Sequence, residues 1–138
     1  MRELRIGIIG SRRRSSFRDR KMILDLVREL VETTAAEIVI VSGGCRKGAD
    51  SFAEEAAHAH GLRKSIHPVP DDPPVKHRGE FRERAFARNL LVAQDCHVMY
   101  ALVSDDRTGG TENTLGHMGD LKKDYWTIDS SGRRKLNG

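Results

Sequence analysis

The order of apolar and polar residues along the chain predicts strands that alternate with helices. Two mostly apolar runs, at 4–9 and 38–41, each end at glycine and lead into a polar loop. In the segments that follow, apolar residues recur three and four positions apart, which is the spacing of an amphipathic helix. Short apolar runs of this kind are typical of strands buried on both faces of a parallel sheet. The pattern therefore predicts βαβ units.

The pattern continues to residue 128 and predicts five strands and four helices. The predicted strands are 4–9, 38–41, 63–69, 98–103 and 125–128, and the predicted helices are 22–31, 50–60, 80–94 and 111–123. Alternation of this kind predicts an α/β fold, namely a single Rossmann-like three-layer sandwich with a mainly parallel five-stranded sheet in the order 3-2-1-4-5. Residues 1–129 are expected to form this domain, and the polar, basic residues 130–138 a flexible tail.

Composition limits the compartment and the partners. The 138 residues suffice for one domain without disulfides, and Cys45 and Cys96 lack the spacing of a metal site, so we expect reduced thiols. The net charge is +4, and basic residues are concentrated at 12–21, which favours anionic partners. The sequence shows no secretory leader and no apolar run of about 18 residues, so we expect a cytoplasmic protein without a membrane span.

Three loops that contain small residues follow the first, second and fourth predicted strands. They are Gly10-Ser11-Arg12, Ser42-Gly43-Gly44 and Thr108-Gly109-Gly110-Thr111. In the predicted strand order, these loops meet in a crevice at the carboxyl edge of the sheet, where the winding direction reverses. Glycine lets the backbone approach a ligand closely, and the N–H groups at the start of a helix attract anions. The sequence therefore predicts a pocket for a phosphorylated ligand.

Four short blocks form a pattern that a known superfamily shares. They are Gly10-Ser11-Arg12, Ser42-Gly43-Gly44 with Gly48-Ala49-Asp50, Arg88-Asn89, and Gly109-Gly110-Thr111-Glu112. In their order and spacing the chain resembles the SLOG superfamily, named for the DNA-processing protein A and lonely guy lineages, and is most similar to its small single-domain YspA-like members. The resemblance covers residues 4–128 and implies a Rossmann-like, nucleotide-binding domain that holds nucleotides or nucleotide-derived ligands through these loops. Some relatives, the lonely guy enzymes, cleave the N-glycosidic bond of nucleoside 5′-monophosphates.

The phosphate of such a ligand is expected at the start of the last helix. The main-chain N–H groups there, with the hydroxyl of Thr111, can donate hydrogen bonds to an anion. Arg84 and Arg88 share a face of the third helix, and an arginine fork suits a phosphate, although both arginines could instead pair with Glu80 and Glu83. The predicted ligand-binding residues are Gly10, Ser11, Arg12, Ser42, Gly43, Gly44, Gly48, Asp50, Arg84, Arg88, Asn89, Gly109, Gly110 and Thr111.

Three further residues of the blocks each have a structural alternative. Asp50 could cap a helix or accept a hydrogen bond from a ribose hydroxyl, and Asn89 could tie two loops together or contact a base or sugar. Glu112 lies in the first turn of a helix, where a carboxylate interacts favourably with the dipole. Glu112 and Arg88 are the candidates for catalysis.

The chain departs from the enzyme pattern of the superfamily at one position. The resemblance implies a catalytic glutamate three residues after the threonine of a Gly-Thr pair, but alignment on Gly110-Thr111 places Thr114 there. Threonine cannot supply a carboxylate for acid–base catalysis. The sequence alone therefore does not decide whether the protein is an enzyme.

Three functions follow from these observations. The first is binding of a nucleotide or a phosphorylated nucleoside-derived ligand, as a sensor, carrier or sequestering module. The second is N-glycoside hydrolysis of nucleoside 5′-monophosphates, and the third is DNA binding through the basic segment 12–21, which is not favoured. A homodimer through the third helix is expected from its surplus apolar surface. No metal ion, cofactor or membrane partner is predicted.

Overall fold

A computed structural model describes residues 2–138 and has the predicted three-layer α/β architecture. The strands are β1 (Glu3–Gly10), β2 (Glu37–Ser42), β3 (Arg63–Ile66), β4 (Val98–Leu102), β5 (Tyr125–Ile128) and β6 (Arg134–Leu136). The helices are α1 (Phe17–Thr33), α2 (Ala49–Ala59), α3 (Arg78–Asp95) and α4 (Gly110–Asp120). The sheet order is β3-β2-β1-β4-β5-β6, so the predicted order of the first five strands is confirmed. No helix within residues 2–138 has the length and apolar character needed to cross a membrane.

The sheet has one strand more than the five that the sequence predicts. β6 lies within residues 130–138, the segment expected to be a flexible tail, and pairs antiparallel with β5. A tight turn closes this hairpin, because the Asp129 carboxylate accepts hydrogen bonds from the main-chain N–H groups of Ser131 and Arg133, both at 2.9 Å. All three residues of β6 are exposed. The hydrophobic pattern could not reveal a strand that buries no side chain.

Successive residues of the central strands enter two cores, one on each face of the sheet. In β1, Ile8 belongs to the core with α1 and α2, whereas its neighbour Ile9 belongs to the core with α3 and α4. The same alternation holds in β2 for Ile40 and Val41. Because helices cover both faces, these strands are mostly apolar, as the sequence pattern indicates.

The helices begin in two different ways, and this difference shapes the carboxyl edge of the sheet. α1 starts with a capping box, in which Ser16 and Asp19 each bond to the other's main chain. α2 and α4 begin after Gly48 and Gly109, which have φ of 76° and 101°, and neither helix has a side-chain cap. Such positive φ favours glycine. The first-turn N–H groups of α2 and α4 therefore lack a capping side chain.

Gly116 provides a test of helix stability away from the sheet. It is exposed in the middle of α4, and a Cβ added there would meet no atom within 4 Å. Because alanine loses less backbone freedom in a helix than glycine, Gly116→Ala is expected to raise the free energy of unfolding by about 0.5–1 kcal/mol. Urea denaturation measures this change.

Gly7→Ala is the contrasting variant for the same measurement. A Cβ at Gly7 would lie 3.1 Å from the Sγ of Cys96 and 3.2 Å from the Cε of Met99, inside the packed core. Overpacking of this kind is expected to lower stability. A loss of stability in Gly116→Ala as well would contradict the propensity argument.

Candidate functional site

A cavity of about 400 Å³ lies where the loops after β1, β2 and β4 meet the side of α3. The strand order brings these three loops together, as the sequence predicts. The predicted ligand-binding residues that line the cavity are Gly10, Ser11, Arg12, Gly43, Asp50, Arg88, Asn89, Gly109, Gly110 and Thr111.

The remaining predicted residues lie outside the cavity lining; they are Ser42, Gly44, Gly48 and Arg84. Ser42 is buried at the end of β2, and its hydroxyl has no hydrogen-bond partner among residues 2–138. Gly44 has φ of 74°, and a Cβ there would lie 2.8 Å from the side chain of Ile66. Arg84 donates to the carboxylate of Glu80 at 3.0 Å and to the carbonyl of Pro70 at 3.1 Å. It therefore forms the salt bridge that was its structural alternative.

Arg88 connects α3 to the loop after β2. Its Nη1 donates to the main-chain carbonyls of Gly43 and His67, the second at 3.2 Å, and its Nε donates to Oδ1 of Asn89 at 3.1 Å. In the described part of the chain, Nη2 has no hydrogen-bond partner. The guanidinium is thus held in position and retains one donor group for a ligand.

Asn89 is buried and joins α3 to the start of α4. Its Nδ2 donates to the carbonyl of Gly110 at 3.3 Å and to Oδ1 of Asn113 at 3.0 Å. These bonds occupy both donors of the amide group, while its oxygen accepts from Arg88. Asn89 therefore ties the elements together, which was the structural alternative for this residue.

Asp50 is the one carboxyl group in the cavity lining, for the residues that the structure describes. It lies in the first turn of α2, but Gly48 occupies the N-cap position, so Asp50 does not cap the helix. Its Oδ2 accepts a hydrogen bond from the Cys45 N–H at 3.1 Å and so closes the loop between β2 and α2. Burial raises the pKa of Asp50, against the opposing effects of the Cys45 N–H and the charge of Arg88.

The first turn of α4 forms another side of the cavity. Gly109, Gly110 and Thr111 line the cavity, and no side chain caps the helix. The hydroxyl of Thr114, one turn further on, donates to the carbonyl of Gly110 at 3.1 Å. The uncapped N–H groups and the positive end of the helix dipole at this position favour an anion.

Glu112 does not reach the cavity. Its carboxylate accepts two hydrogen bonds from Arg107, at 2.8 and 2.9 Å, and it is not part of the cavity lining. Thr114, which stands where the enzyme pattern has a glutamate, does line the cavity. Of the two candidates for catalysis, the fold therefore brings only Arg88 to the cavity.

Positive charge dominates the cavity. The arginines in its lining are Arg12, Arg13, Arg82 and Arg88. Arg13 donates to both carboxylate oxygens of Asp106, at 2.6 and 2.8 Å, and these bonds hold the pKa of Asp106 far below its usual value. The salt bridges within residues 2–138 leave Arg12 and Arg82 unpaired. The site therefore favours an anionic ligand.

The wall that α3 contributes is larger than predicted. Phe81, Arg82, Ala85 and Phe86 line the cavity, although the sequence assigned the apolar surface of this helix to a dimer interface. Phe81 and Ala85 precede Asn89 at intervals of four residues, and this spacing on one helix face is the signal that could have identified them. The Cζ atom of Arg82 lies 5.1 Å from the centre of the Phe86 ring, in a cation–π contact.

The basic segment 12–21 is largely engaged in contacts within the chain. Arg14 is 6% exposed. Arg20 bonds to Glu55 and Lys21 bonds to Asp25, both at 2.8 Å. The segment is therefore not a continuous free basic surface.

The two cysteines are free thiols in different environments. Cys45 is partly exposed in the cavity wall, whereas Cys96 is buried in the core, where burial raises its pKa to about 11. Across residues 2–138, no three or more histidine, cysteine, aspartate or glutamate side chains are grouped so that they could hold a metal ion.

Only one of the two thiols is expected to react with Ellman's reagent at pH 8 in the native protein. Cys45 is accessible, but Cys96 is neutral and enclosed, and the thiolate is the reactive form. Both thiols are expected to react in guanidinium chloride. In native Cys45→Ser the reaction should be lost, so rapid labelling of that variant would contradict the burial of Cys96.

The fold and the cavity define a Rossmann-like α/β protein whose loops surround a ligand-sized, positively charged cavity. DNA processing protein A from Streptococcus pneumoniae is similar in structure, with a TM-score of 0.71 and 19% identity over 91% of this chain and 50% of that one. The molybdenum cofactor carrier protein from Chlamydomonas reinhardtii is also similar, with a TM-score of 0.65 and 17% identity over 94% of this chain and 79% of that one.

These similarities concern the fold. Both neighbours have SLOG-type folds, so the resemblance found in the sequence is confirmed at that level. The chain spans half the length of DNA processing protein A. No protein-family model matches the chain, and no curated protein matches its sequence.

Proposed function

We propose that the chain binds a nucleotide or another phosphorylated nucleoside-derived ligand in this cavity, as a sensor, carrier or sequestering module. One observation carries the proposal: the uncapped first turn of α4 lines a cavity in which arginines outnumber carboxyl groups. Such a site attracts anions. The volume of about 400 Å³ lies in the range of small-molecule sites.

The phosphate belongs at the side of the cavity that α4 and the loop after β1 form. Gly109-Gly110-Thr111 supplies main-chain donors there, and Arg12 supplies a guanidinium without a salt-bridge partner among residues 2–138. An arginine can bind a phosphate through two parallel hydrogen bonds. These groups support the assignment of the phosphate to this side.

The nucleoside portion belongs beside the loop after β2. Nη2 of Arg88 is a free donor within the described residues. Asp50 is buried with a raised pKa, and its carboxyl group can accept a hydrogen bond from a ribose hydroxyl when ionised or donate one when protonated. Both groups are suited to a polar sugar.

A role without chemistry finds support in one structural neighbour. The molybdenum cofactor carrier protein is, by its name, a protein of this fold that carries a cofactor. This precedent favours a carrier or sequestering role for the chain, although the ligand proposed for this cavity is identified by its phosphate and not by that cofactor.

Hydrolysis of a nucleoside 5′-monophosphate is the weaker alternative. Glu112 is held by Arg107 outside the cavity, and Thr114 offers no carboxylate. Asp50 would have to serve as the acid or base, with Arg88 beside it. Among residues 2–138, the cavity lining contains no second carboxyl group that could assist Asp50 in this reaction.

DNA binding also has less support. DNA processing protein A shares the fold, but this chain spans half its length. Of the basic segment, Arg14 is buried and Arg13 and Arg20 form salt bridges, which leaves few cations for phosphate contacts along a duplex.

Cytoplasmic location and self-association complete the proposal. Two free cysteines suit a reducing compartment. On α3, Leu91 is 49% exposed, and a second copy of the chain could cover it. Sedimentation velocity at micromolar concentration tests the homodimer, and a monomer alone would exclude it.

Calorimetric titration with adenosine, guanosine, cytidine and uridine 5′-monophosphates tests the proposed binding. Arg12→Gln is expected to weaken the affinity about tenfold, because it removes a charge-assisted contact to the phosphate. Arg18→Gln is the matched control, since Arg18 is exposed on the same segment outside the cavity. Absence of binding at millimolar nucleotide would contradict the proposal.

The same samples separate the alternatives. Release of free base, detected by liquid chromatography and abolished in Arg88→Ala, would establish hydrolysis in place of simple binding. Salt-sensitive binding of duplex DNA that Arg12→Gln and Arg18→Gln weaken together would instead support the DNA-binding alternative.

A further inference from the structure

The cavity lining includes an apolar wall as well as anion-binding groups. Phe81, Ala85 and Phe86 of α3, with Val92 and Ile9, supply this wall. Phe81 lines the cavity, and 41% of this large apolar residue is exposed. An exposed aromatic ring in a ligand-sized cavity offers apolar surface that a ligand can cover.

The helix geometry leaves space beside the Phe81 ring. Phe81, Ala85 and Asn89 follow one another at intervals of four residues, so their side chains form a row on one face of α3. Ala85 is the smallest side chain of this row. A flat group can therefore lie against Phe81 over the position of Ala85.

Phe86 is less available as a platform than Phe81. The guanidinium of Arg82 lies over the Phe86 ring, at 5.1 Å from its centre. This contact occupies one face of Phe86 and places a positive charge beside the apolar wall. Phe81 has no such cation over its ring among the described residues.

Asn89, the polar member of this row, has no free donor for the edge of a base. Both amide donors of Asn89 are engaged, by Gly110 and Asn113, and its oxygen accepts from Arg88. Recognition of a base on this wall would therefore depend on stacking area, which every nucleobase offers and which purines offer more than pyrimidines.

We propose that Phe81 is the stacking platform for a purine-sized heterocycle and sets a preference for purine over pyrimidine nucleoside monophosphates. This inference rests on the proposed nucleotide-binding function. It further implies weak discrimination between adenine and guanine, because the wall is mainly aromatic and aliphatic surface and Asn89 has no free donor for a base edge.

The test compares adenosine 5′-monophosphate, cytidine 5′-monophosphate and ribose 5-phosphate by calorimetry in the wild type and in Phe81→Ala. The variant is expected to weaken adenosine monophosphate binding about tenfold, to weaken cytidine monophosphate binding less, and to leave ribose 5-phosphate unchanged. Phe81→Trp, which keeps an aromatic ring at this position, should bind adenosine monophosphate about as well as the wild type does. Leu91→Ala, on the same helix, and Phe17→Ala, an exposed ring on α1, are the controls, because neither residue lines the cavity.

Proton NMR of bound adenosine monophosphate gives a readout that a purely structural role would not change. Stacking on Phe81 shifts the base protons upfield, and Phe81→Ala should remove that shift. Equal losses for adenosine monophosphate and ribose 5-phosphate, or an unchanged upfield shift, would overturn the stacking site but not nucleotide binding. If the wild type binds none of the three compounds, both proposals are overturned.

Discussion

Arg14→Met is expected to lower the free energy of unfolding by about 3–5 kcal/mol. The side chains of Arg14 and Asp19 are 7% and 9% exposed, and Nε of the arginine donates to Oδ1 of the aspartate at 2.8 Å. Methionine would fill much of the space but carries no charge. The Asp19 carboxylate would then remain buried without its cation, which is the costly way to break such a pair.

Arg14 also holds the ends of two strands. Its Nη1 donates to the carbonyls of Val103 and Ile128, both at 2.8 Å, and its Nη2 donates to the carbonyl of Asp129 at 3.0 Å. Val103 follows the last residue of β4, Ile128 is the last residue of β5, and Asp129 follows it. Methionine offers no donor to these carbonyls. The lost stability therefore includes the cost of leaving the carbonyl oxygens without hydrogen bonds.

Urea denaturation at pH 7 measures this loss, and Arg13→Met is the matched control. Arg13 is the preceding residue and also pairs with an aspartate, but its side chain is 59% exposed and that of Asp106 is 53% exposed. Water screens such a pair, so we expect a much smaller effect. Equal losses in the two variants would refute the argument from burial.

The difference in the free energy of unfolding between the wild type and Arg14→Met should become smaller at acidic pH. Burial raises the pKa of Asp19, but hydrogen bonds from Arg14 and Ser16 outweigh it and leave the pKa below its usual value. Because the folded-state pKa is the lower one, the stabilisation is complete above the unfolded-state pKa and is lost as the pH falls through the folded value. Denaturation curves at several pH values below neutrality follow this change.

Gly43→Ala is expected to weaken nucleotide binding by about tenfold or more and to lower the free energy of unfolding by about 1–3 kcal/mol. A Cβ at this position would lie 2.5 Å from Nη1 of Arg88, 2.9 Å from its Cζ and 3.0 Å from Oδ2 of Asp50. The guanidinium would have to leave the Gly43 carbonyl that it now contacts. Glycine is needed here for close approach of a side chain, and a positive φ is not involved.

Calorimetry with adenosine 5′-monophosphate and urea denaturation check both parts of this expectation. Gly116→Ala, an identical substitution without steric contact, is the control and should bind normally. In the background of Arg88→Met, the destabilisation by Gly43→Ala should shrink, because the main clashing group is gone. Additive losses in the double variant would locate the strain elsewhere.

The fold was predictable from the sequence because parallel strands covered on both faces are apolar along their buried length. Ile8 and Ile9 enter different cores, as do Ile40 and Val41, so the run at 38–41 is wholly apolar and the run at 4–9 contains one charged residue, Arg5. The meeting of the three loops followed from strand order alone. β6 escaped prediction because it is short, exposed and held by an Asp129 turn rather than by buried side chains.

The site was predictable only in part, because glycine loops are a local signal and side-chain partners are not. Lys123 shows the difference: its Nζ donates to the carbonyls of Ala93, Gln94 and Cys96 and so caps the end of α3 from a segment nearly 30 residues away. The Phe81 wall likewise faces the cavity because of the way α3 packs across the loops. The contacts of Lys123 leave no motif in the chain, and the α3 wall leaves only the four-residue spacing of Phe81 and Ala85 from Asn89.

The consecutive residues Arg12, Arg13 and Arg14 show which features the sequence alone does not determine. Composition and spacing alone established a parallel α/β sheet with three small-residue loops at one edge and a basic stretch beside them. Packing then gave Arg12 to the cavity, Arg13 to a salt bridge with Asp106, and Arg14 to a buried contact with Asp19 and the ends of β4 and β5. Identical side chains acquired these roles because most of their partners lie on elements distant in sequence, and only the folded chain brings those elements within hydrogen-bonding distance.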